Sequence, residues 1–442
     1  MSFTSIKFLY FLAAFLVVYA LCPARYRRYA LLVGSLVFCF MGSVRMAVSV
    51  LCFSIVNYVL GGLLQTRDPI RKRVVLIVGV ALNAGALIVF KLTGTMPTGV
   101  SFYTFACISY LVDVSRSDVD PEPNLLKFTT YLTMFPKVQQ GPIARYKELS
   151  PQMDRPRQTL QNVQAGLESF ILGISMKVLL ADKLAILWNE LVKIGFESIS
   201  TPLAWLGIFG YSLQLYLDFQ GYTLMAIGIG RMLGFQFPSN FNFPYLAKTI
   251  GDFYRRWHMT LTGWFKDYIY IPLGGNRKGT LRTVANILIV WLITSLWHGL
   301  GWNYLLWGMS IGLLIVLEKL FLGKAMNKLH VLPHLYVLFF IPLTWCCFAI
   351  TDISQLGVYF TRLFPFLGGT VGNVYQGDFA MYLGQFAPYL IGGVFCCFPI
   401  LERFVKRYGR NPIVSMLLAA LFWWAVFEIQ RSGNNPFLYL NF

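Results

Sequence analysis

Two of the 4 histidines in this 442-residue chain lie between Gly251 and Gly301, in a stretch more polar than the apolar sequence around it. It carries Arg255-Arg256-Trp257-His258, then Asp267-Tyr268-Ile269-Tyr270-Ile271-Pro272-Leu273-Gly274-Gly275-Asn276-Arg277. After an apolar run it ends in Ser295-Leu296-Trp297-His298-Gly299. His298 closes a segment expected to lie in hydrocarbon. A titratable imidazole there is costly unless it lines a wet cavity or meets a partner, so its default reading is functional. A neutral imidazole with a pKa of about 6.5 can accept a hydroxyl proton and pass it to a leaving group at neutral pH. Acyl transfer needs that service, because an alcohol is a poor nucleophile until its proton is being removed. From the residue alone, a histidine that hydrogen-bonds a neighbouring helix fits equally well.

His258 sits among Arg255, Arg256, Lys266 and Asp267. Trp257, His258, Leu261, Trp264, Phe265 and Tyr268 alternate with these charges at near-helical spacing, which describes an amphipathic or re-entrant helix. An interfacial anchor and a polar residue on the donor side both fit. The basic glycine run Gly274–Gly279 lacks the GxxxxGK[ST] spacing, so nucleotide hydrolysis is unsupported; a turn near a phosphate-bearing donor remains open. Gln214, Asp218 and Tyr222 share one helix face. A carboxylate among Leu215, Leu217 and Phe219 must face protein or water, as a hydrogen-bond hub or a binding group.

Those residues must be positioned by membrane helices. The chain is 57% hydrophobic and 13% charged, with a mean hydropathy of +0.60, far from the soluble range. Apolar runs recur at Phe8–Cys22, Tyr29–Met41, Arg45–Leu64, Val74–Val89, Val163–Leu180, Thr201–Leu217 and Leu281–Trp297. They continue at Trp302–Leu322, His334–Ile350, Met381–Ile400 and Ile413–Phe427. Gly99–Val114 and Leu224–Phe237 read as short or re-entrant pieces. The expectation is an all-α polytopic protein with about 10–13 membrane and re-entrant helices. Phe8–Cys22 has no basic leader and no small-x-small cleavage site, and reads as a retained anchor.

The net charge of +18 is placed for orientation and lipid contact rather than for nucleic acid. Arg25, Arg27 and Arg28 follow the first span, and Arg67, Arg71, Lys72 and Arg73 the third. Two crossings separate the clusters, so both are expected to be cytoplasmic and the N-terminus extracytoplasmic. The 8 cysteines lie in or beside apolar runs without a CxxC, so they read as small buried hydrophobes and no metal site is expected. No repeat or linker divides the chain, which reads as one membrane-embedded domain, residues 1–442. Within it, plain helices (1–92) and ordinary spans (302–442) flank a Pro- and Gly-broken core (93–301). Irregular backbone at membrane depth survives only inside protein or beside water, so the core is expected to hold a cavity.

Jointly, several segments resemble the membrane-bound O-acyltransferase family, in particular its bacterial alginate O-acetyltransferase-like branch. They are residues 99–105 with 109–114, Gln140-Gly-Pro-Ile-Ala-Arg145, residues 215–222 with 225–228, and Asn240–Tyr245. Phe253–His258, Asp267–Arg277, Trp297–Gly299 and Phe437–Phe442 complete the set. The likeness covers nearly the full length. It implies helices around a central tunnel, in a multi-pass protein of a bacterial inner or plasma membrane. It also implies a catalytic role for His298 as general base and for His258 as a second polar group. Arg255, Arg256, Trp257, Asp218, Trp297 and Arg277 would bind substrate. No bound cofactor is implied; the co-substrate would be a cytoplasmic acyl thioester, acetyl-CoA or an acyl carrier protein. The acceptor would be a hydroxyl of an extracytoplasmic polysaccharide or teichoic acid, reached directly or through a partner transferase. Gln220 and Leu440-Asn441 depart from the family pattern, which puts acceptor preference in doubt rather than the reaction class. Two rivals stand beside this reading. One is D-alanyl transfer to teichoic acid from a carrier protein; Tyr270–Arg277 looks more like the acetylating branch. The other is a transporter or flippase, which predicts inverted repeats that the sequence does not show; a purely structural membrane subunit would leave His298 and the Arg255–His258 segment unexplained.

Overall fold

A computed structural model of the chain describes residues 1–326, 329–368, 372–432 and 437; of the Phe437–Phe442 motif only Phe437 falls among them. Helices account for the regular structure of the described residues. Chain order begins α1 (Ile6–Leu21), α2 (Arg27–Gly42), α3 (Val44–Leu63), α4 (Pro69–Leu92), α5 (Val100–Ser115), α6 (Leu125–Thr133) and α7 (Phe135–Val138). It continues α8 (Tyr146–Asp154), α9 (Leu160–Ser175), α10 (Asp182–Ile194), α11 (Thr201–Met232), α12 (Ile250–Arg256), α13 (Met259–Phe265) and α14 (Thr280–His298). The remainder are α15 (Trp302–Leu317), α16 (Gly323–Met326), α17 (Leu332–Ala349), α18 (Ile353–Leu363), α19 (Asp378–Cys396), α20 (Ile400–Tyr408) and α21 (Pro412–Ser432). Among the described residues, seven helices are long and apolar enough to cross a membrane, including Thr280–His298, Trp302–Leu322 and Leu332–Ala349, and α1 and α5 are shorter apolar helices. This is a multi-pass membrane protein.

Backbone packing divides the chain into two compact units. One comprises Met1–Ile174, Tyr222–Ser239 and the stretch from Gly409; the other comprises Ser175–Gly221 and Asn240–Tyr408. In the first, Asn57 and Asn83 exchange side-chain amide hydrogen bonds of 3.0 and 2.7 Å between α3 and α4. Such pairs satisfy polar groups that hydrocarbon cannot. The 99–114 stretch forms α5, a helix buried along almost its whole length.

Residues 201–217 and 224–237, expected as a span and a separate short piece, instead share one helix, α11, as far as Met232. Its glycines serve packing rather than breakage. A Cβ added at Gly228 would meet the Gly166 carbonyl at 2.5 Å, and one at Gly166 would meet the Gly228 carbonyl equally closely. Two helices cannot approach so nearly with any larger residue at either position.

In the second unit, a π-helical turn at Met176–Ala181 follows α9. Its wider winding aligns Lys177 with Asp182, five residues on, at 2.6 Å; Lys177 also reaches Asp218 of α11 at 2.7 Å. Asp218 is therefore half of a buried ion pair. α14 and α15 form a tight hairpin: a Cβ at Gly308 would strike Ser295, and one at Gly299 would strike the Tyr304 ring. That close approach sets the surroundings of His298.

Candidate active site

His298 is the last residue of α14, and the Gly299 amide hydrogen-bonds back to Ser295. It is 6% exposed. Its imidazole lies near-perpendicular to the rings of Trp307 and Phe348, with centroids 4.8 and 5.2 Å away. Trp297 packs against it at 4.5 Å. The three rings form a water-poor cage, where a proton transfer would proceed without competition from solvent. Trp307 in turn stacks on Trp345 at 5.9 Å. The indole N–H groups of Trp307 and Trp345 are both buried and make no hydrogen bond within the described structure. Buried donors of this kind normally find partners.

His258 is built differently. Thr249 caps α12 through Asp252 N at 2.9 Å, and the Glu318 carboxylate accepts from both Ile250 N and Gly251 N. The helix ends at Arg256, and His258 turns the chain in the left-handed region with φ 44. Two backbone bonds fix this turn against the 240–243 loop, Asn242 N to Arg256 O at 3.0 Å and Met259 N to Asn240 O at 2.8 Å. Asn240 Oδ1 accepts from Thr260 Oγ1 at 2.6 Å and lies 3.2 Å from His258 Nδ1. An acceptor at that position makes Nδ1 the protonated nitrogen. Nε2 keeps its lone pair, buried and without a hydrogen-bond partner among the described residues. Burial pushes the His258 pKa down to about 3, so the ring is neutral at physiological pH and a weak base. It can accept a hydrogen bond, and Phe219, edge-on at 4.7 Å, holds its plane.

The two histidines do not touch. Trp257, at 3% exposure, packs against Phe253 at 5.5 Å and Phe241 at 5.0 Å and meets Trp345 at 5.2 Å. The chain of indoles Trp257, Trp345 and Trp307 therefore lies between the His258 turn and His298. Arg255 is exposed and Arg256 half-buried; both pair with Asp252, at 3.2 and 3.0 Å. Arg277 is exposed, on a glycine turn with Gly274 and Gly275 at positive φ. Asn286 of α14 ties that turn down through the Gly275 carbonyl at 2.9 Å. Asp218 lies in the Lys177 ion pair. Sequence reasoning passed over Trp307, Trp345 and Phe348, which sit in ordinary apolar spans, and Glu318. A carboxylate inside the 302–322 run was the available signal for the last. Among the described residues no three His, Cys, Asp or Glu side chains gather as a metal site requires.

Comparison with known proteins supplies a family description. Residues 103–328 match the model described as MBOAT, membrane-bound O-acyltransferase family. The chain is 35% identical to a probable alginate O-acetylase of Pseudomonas fluorescens, over 83% of this chain and 76% of that one. It is 33% identical to a peptidoglycan O-acetyltransferase of Helicobacter pylori, over 66% of this chain and 64% of the relative. Against a teichoic acid D-alanyltransferase of Lacticaseibacillus rhamnosus the identity is 28%, over 53% of this chain and 62% of the relative.

Proposed function

We propose, on the premise that this chain belongs to the membrane-bound O-acyltransferase family and is an O-acyltransferase, that it moves an acetyl group from a cytoplasmic thioester to a hydroxyl of an extracytoplasmic polysaccharide. The acceptor is delivered directly or through a partner transferase. The observation that carries this reading is His298 in its aromatic cage beside two buried indole donors. His298 removes the hydroxyl proton as the oxygen attacks the thioester carbonyl. The C–S bond breaks, and the imidazolium returns the proton to the departing sulfur. Trp307 N–H and Trp345 N–H are placed to donate to substrate oxygens, and His258 Nε2 orients a hydroxyl. Holding both substrates at one imidazole lowers the entropic barrier.

Charge supports the direction. Counting α14, α15, α17 and α19 as crossings puts the chain before α14, after α15 and after α19 on one face. Arg277, Lys278, Arg282, Lys319, Lys324, Arg403, Lys406 and Arg407 gather there, while the 350–377 connection carries Arg362 alone. The basic face is the cytoplasmic one. His298 caps the opposite end of α14, so a thioester carried on a long arm fits the donor. By the same rule the Arg25–Arg28 and Arg67–Arg73 loops are cytoplasmic and the N-terminus is outside. Single cysteines placed in those two loops, in a background without the native cysteines, should resist impermeant thiol reagents in intact cells. Efficient labelling from outside would reverse the assigned donor side.

The donor is tested directly. Protein in nanodiscs supplied with radiolabelled acetyl-CoA should consume the thioester slowly, and only when His298 is present. No turnover with acetyl-CoA, together with transfer from a D-alanyl-loaded carrier protein, would reject the acetyl reading. The D-alanyl reading has its own support in the teichoic acid D-alanyltransferase relative.

A further inference from the structure

α20 separates two membrane helices and is sharply two-sided. Ile400, Phe404 and Tyr408 lie along one side and are exposed; Glu402, Arg403, Lys406 and Arg407 occupy the other. A short helix with this division suits the membrane surface, apolar side toward lipid. Its polar side faces Arg256 and the 242–246 loop. Between them lies a cleft of about 350 Å³ whose wall includes Asn242, Phe243, Arg256, Glu402, Arg403 and Lys406.

The cleft is firmly built on one side. Asn242 N donates to Arg256 O at 3.0 Å, which pins the loop beneath Arg256, and Phe243 holds a left-handed φ of 47. Its charge is strongly positive. Of the Arg256 guanidinium only Nε is engaged by Asp252, at 3.0 Å, leaving its other N–H groups for a ligand. Arg403 and Lys406 are exposed and have no acidic partner among the described residues. Glu402 is the one opposing group, and it is drawn back to Gln220 Nε2 at 3.3 Å. Burial pushes its carboxyl above the ordinary carboxylate range. Three cations around one concavity focus a field that selects anions, and forked guanidinium donors suit phosphate oxygens.

We infer that Arg256, Arg403 and Lys406 form a binding site for a phosphate-bearing ligand on the α20 face. The ligand's phosphate comes either from a soluble nucleotide-type thioester donor or from an anionic phospholipid headgroup. The first source rests on the donor reading above; the second does not.

The test uses the full chain in phosphatidylcholine nanodiscs, with coenzyme A and inorganic diphosphate as soluble probes and retained phosphatidylglycerol as the lipid probe. The variants are Arg403→Gln/Lys406→Gln, the charge-conserving Arg403→Lys/Lys406→Arg, and His298→Ala. The neutralising pair should weaken coenzyme A binding by about tenfold or more, since each charge-assisted bond contributes about 1.5–3 kcal/mol and 1.4 kcal/mol is tenfold. The conserving pair and His298→Ala should bind like the wild type. That pattern assigns the site to the soluble donor. Should coenzyme A bind neither protein, while wild type alone retains phosphatidylglycerol after exchange into neutral lipid, the site stands and its occupant is the headgroup. Equal coenzyme A affinity and equal lipid retention in the wild type and the neutralising pair would overturn the inference. Neither readout requires turnover, so failure of the acetyl-donor reading would not be mistaken for failure of the site.

Discussion

Replacing His298 with alanine is expected to lower acyl transfer by about 10²–10⁴-fold, the usual contribution of a positioned general base. Yield and membrane insertion should stay close to wild type. The imidazole packs against three rings, two of which also pack on each other: Trp307 and Phe348 lie 5.1 Å apart, and Trp345 backs both. Loss of one imidazole leaves that aromatic cluster in place. Initial rates with a labelled thioester, in nanodiscs of matched protein content, make the measurement. Activity above about a tenth of wild type would exclude the base role, because such a residue acts in the transition state. Trp307→Phe gives a second view of the same site. It keeps an aromatic ring, though a smaller one, and removes the donor, so a fall in kcat with little change in KM would mark a hydrogen bond made in the transition state.

Lys177→Met carries the largest expected effect on folding. The ammonium is 3% exposed and lies between the carboxylates of Asp182 and Asp218, the latter 2% exposed. Removing the cation leaves two acidic groups facing each other with little water. Breaking a buried pair by deleting one partner costs about 3–5 kcal/mol. The variant should melt well below wild type in detergent and be recovered in low yield. The triple variant Lys177→Met/Asp182→Asn/Asp218→Leu should regain much of the loss, since replacing a whole buried ion cluster with neutral groups is often close to neutral. A single variant that melts like the wild type would show that the ion pair is not a stabilising element.

Much of this arrangement was legible in the residues themselves. The 302–322 run, the end of α14 at His298 and the helical reading throughout follow from hydropathy alone. The mark at Lys177 was also present, a lysine inside the apolar 163–180 run that demanded a partner. Which acid would supply it depended on the π-helical turn, and winding of that kind leaves no trace in composition. The cage around His298 was opaque for a different reason. Trp307, Trp345 and Phe348 sit in spans where any large apolar residue would serve, so their types carry no address. Nor could spacing show that Arg403 and Lys406, nearly 150 residues after Arg256, share a cleft with it. That pairing depends on how the chain returns between membrane helices.

One helix deserves a mechanical reading. α15 and its π-helical continuation carry Trp307 against His298 near one end and Glu318 against the first amides of α12 at the other. The eleven residue steps from Trp307 to Glu318 amount to a strut of roughly 16 Å at helical rise. The base and the His258 turn are thereby set at the two ends of a single ruler. Sliding that helix along its axis would carry both ends together and keep their spacing. Lengthening it by even one residue would put the two ends out of phase by about 100° of rotation, so this segment should tolerate substitution far better than insertion.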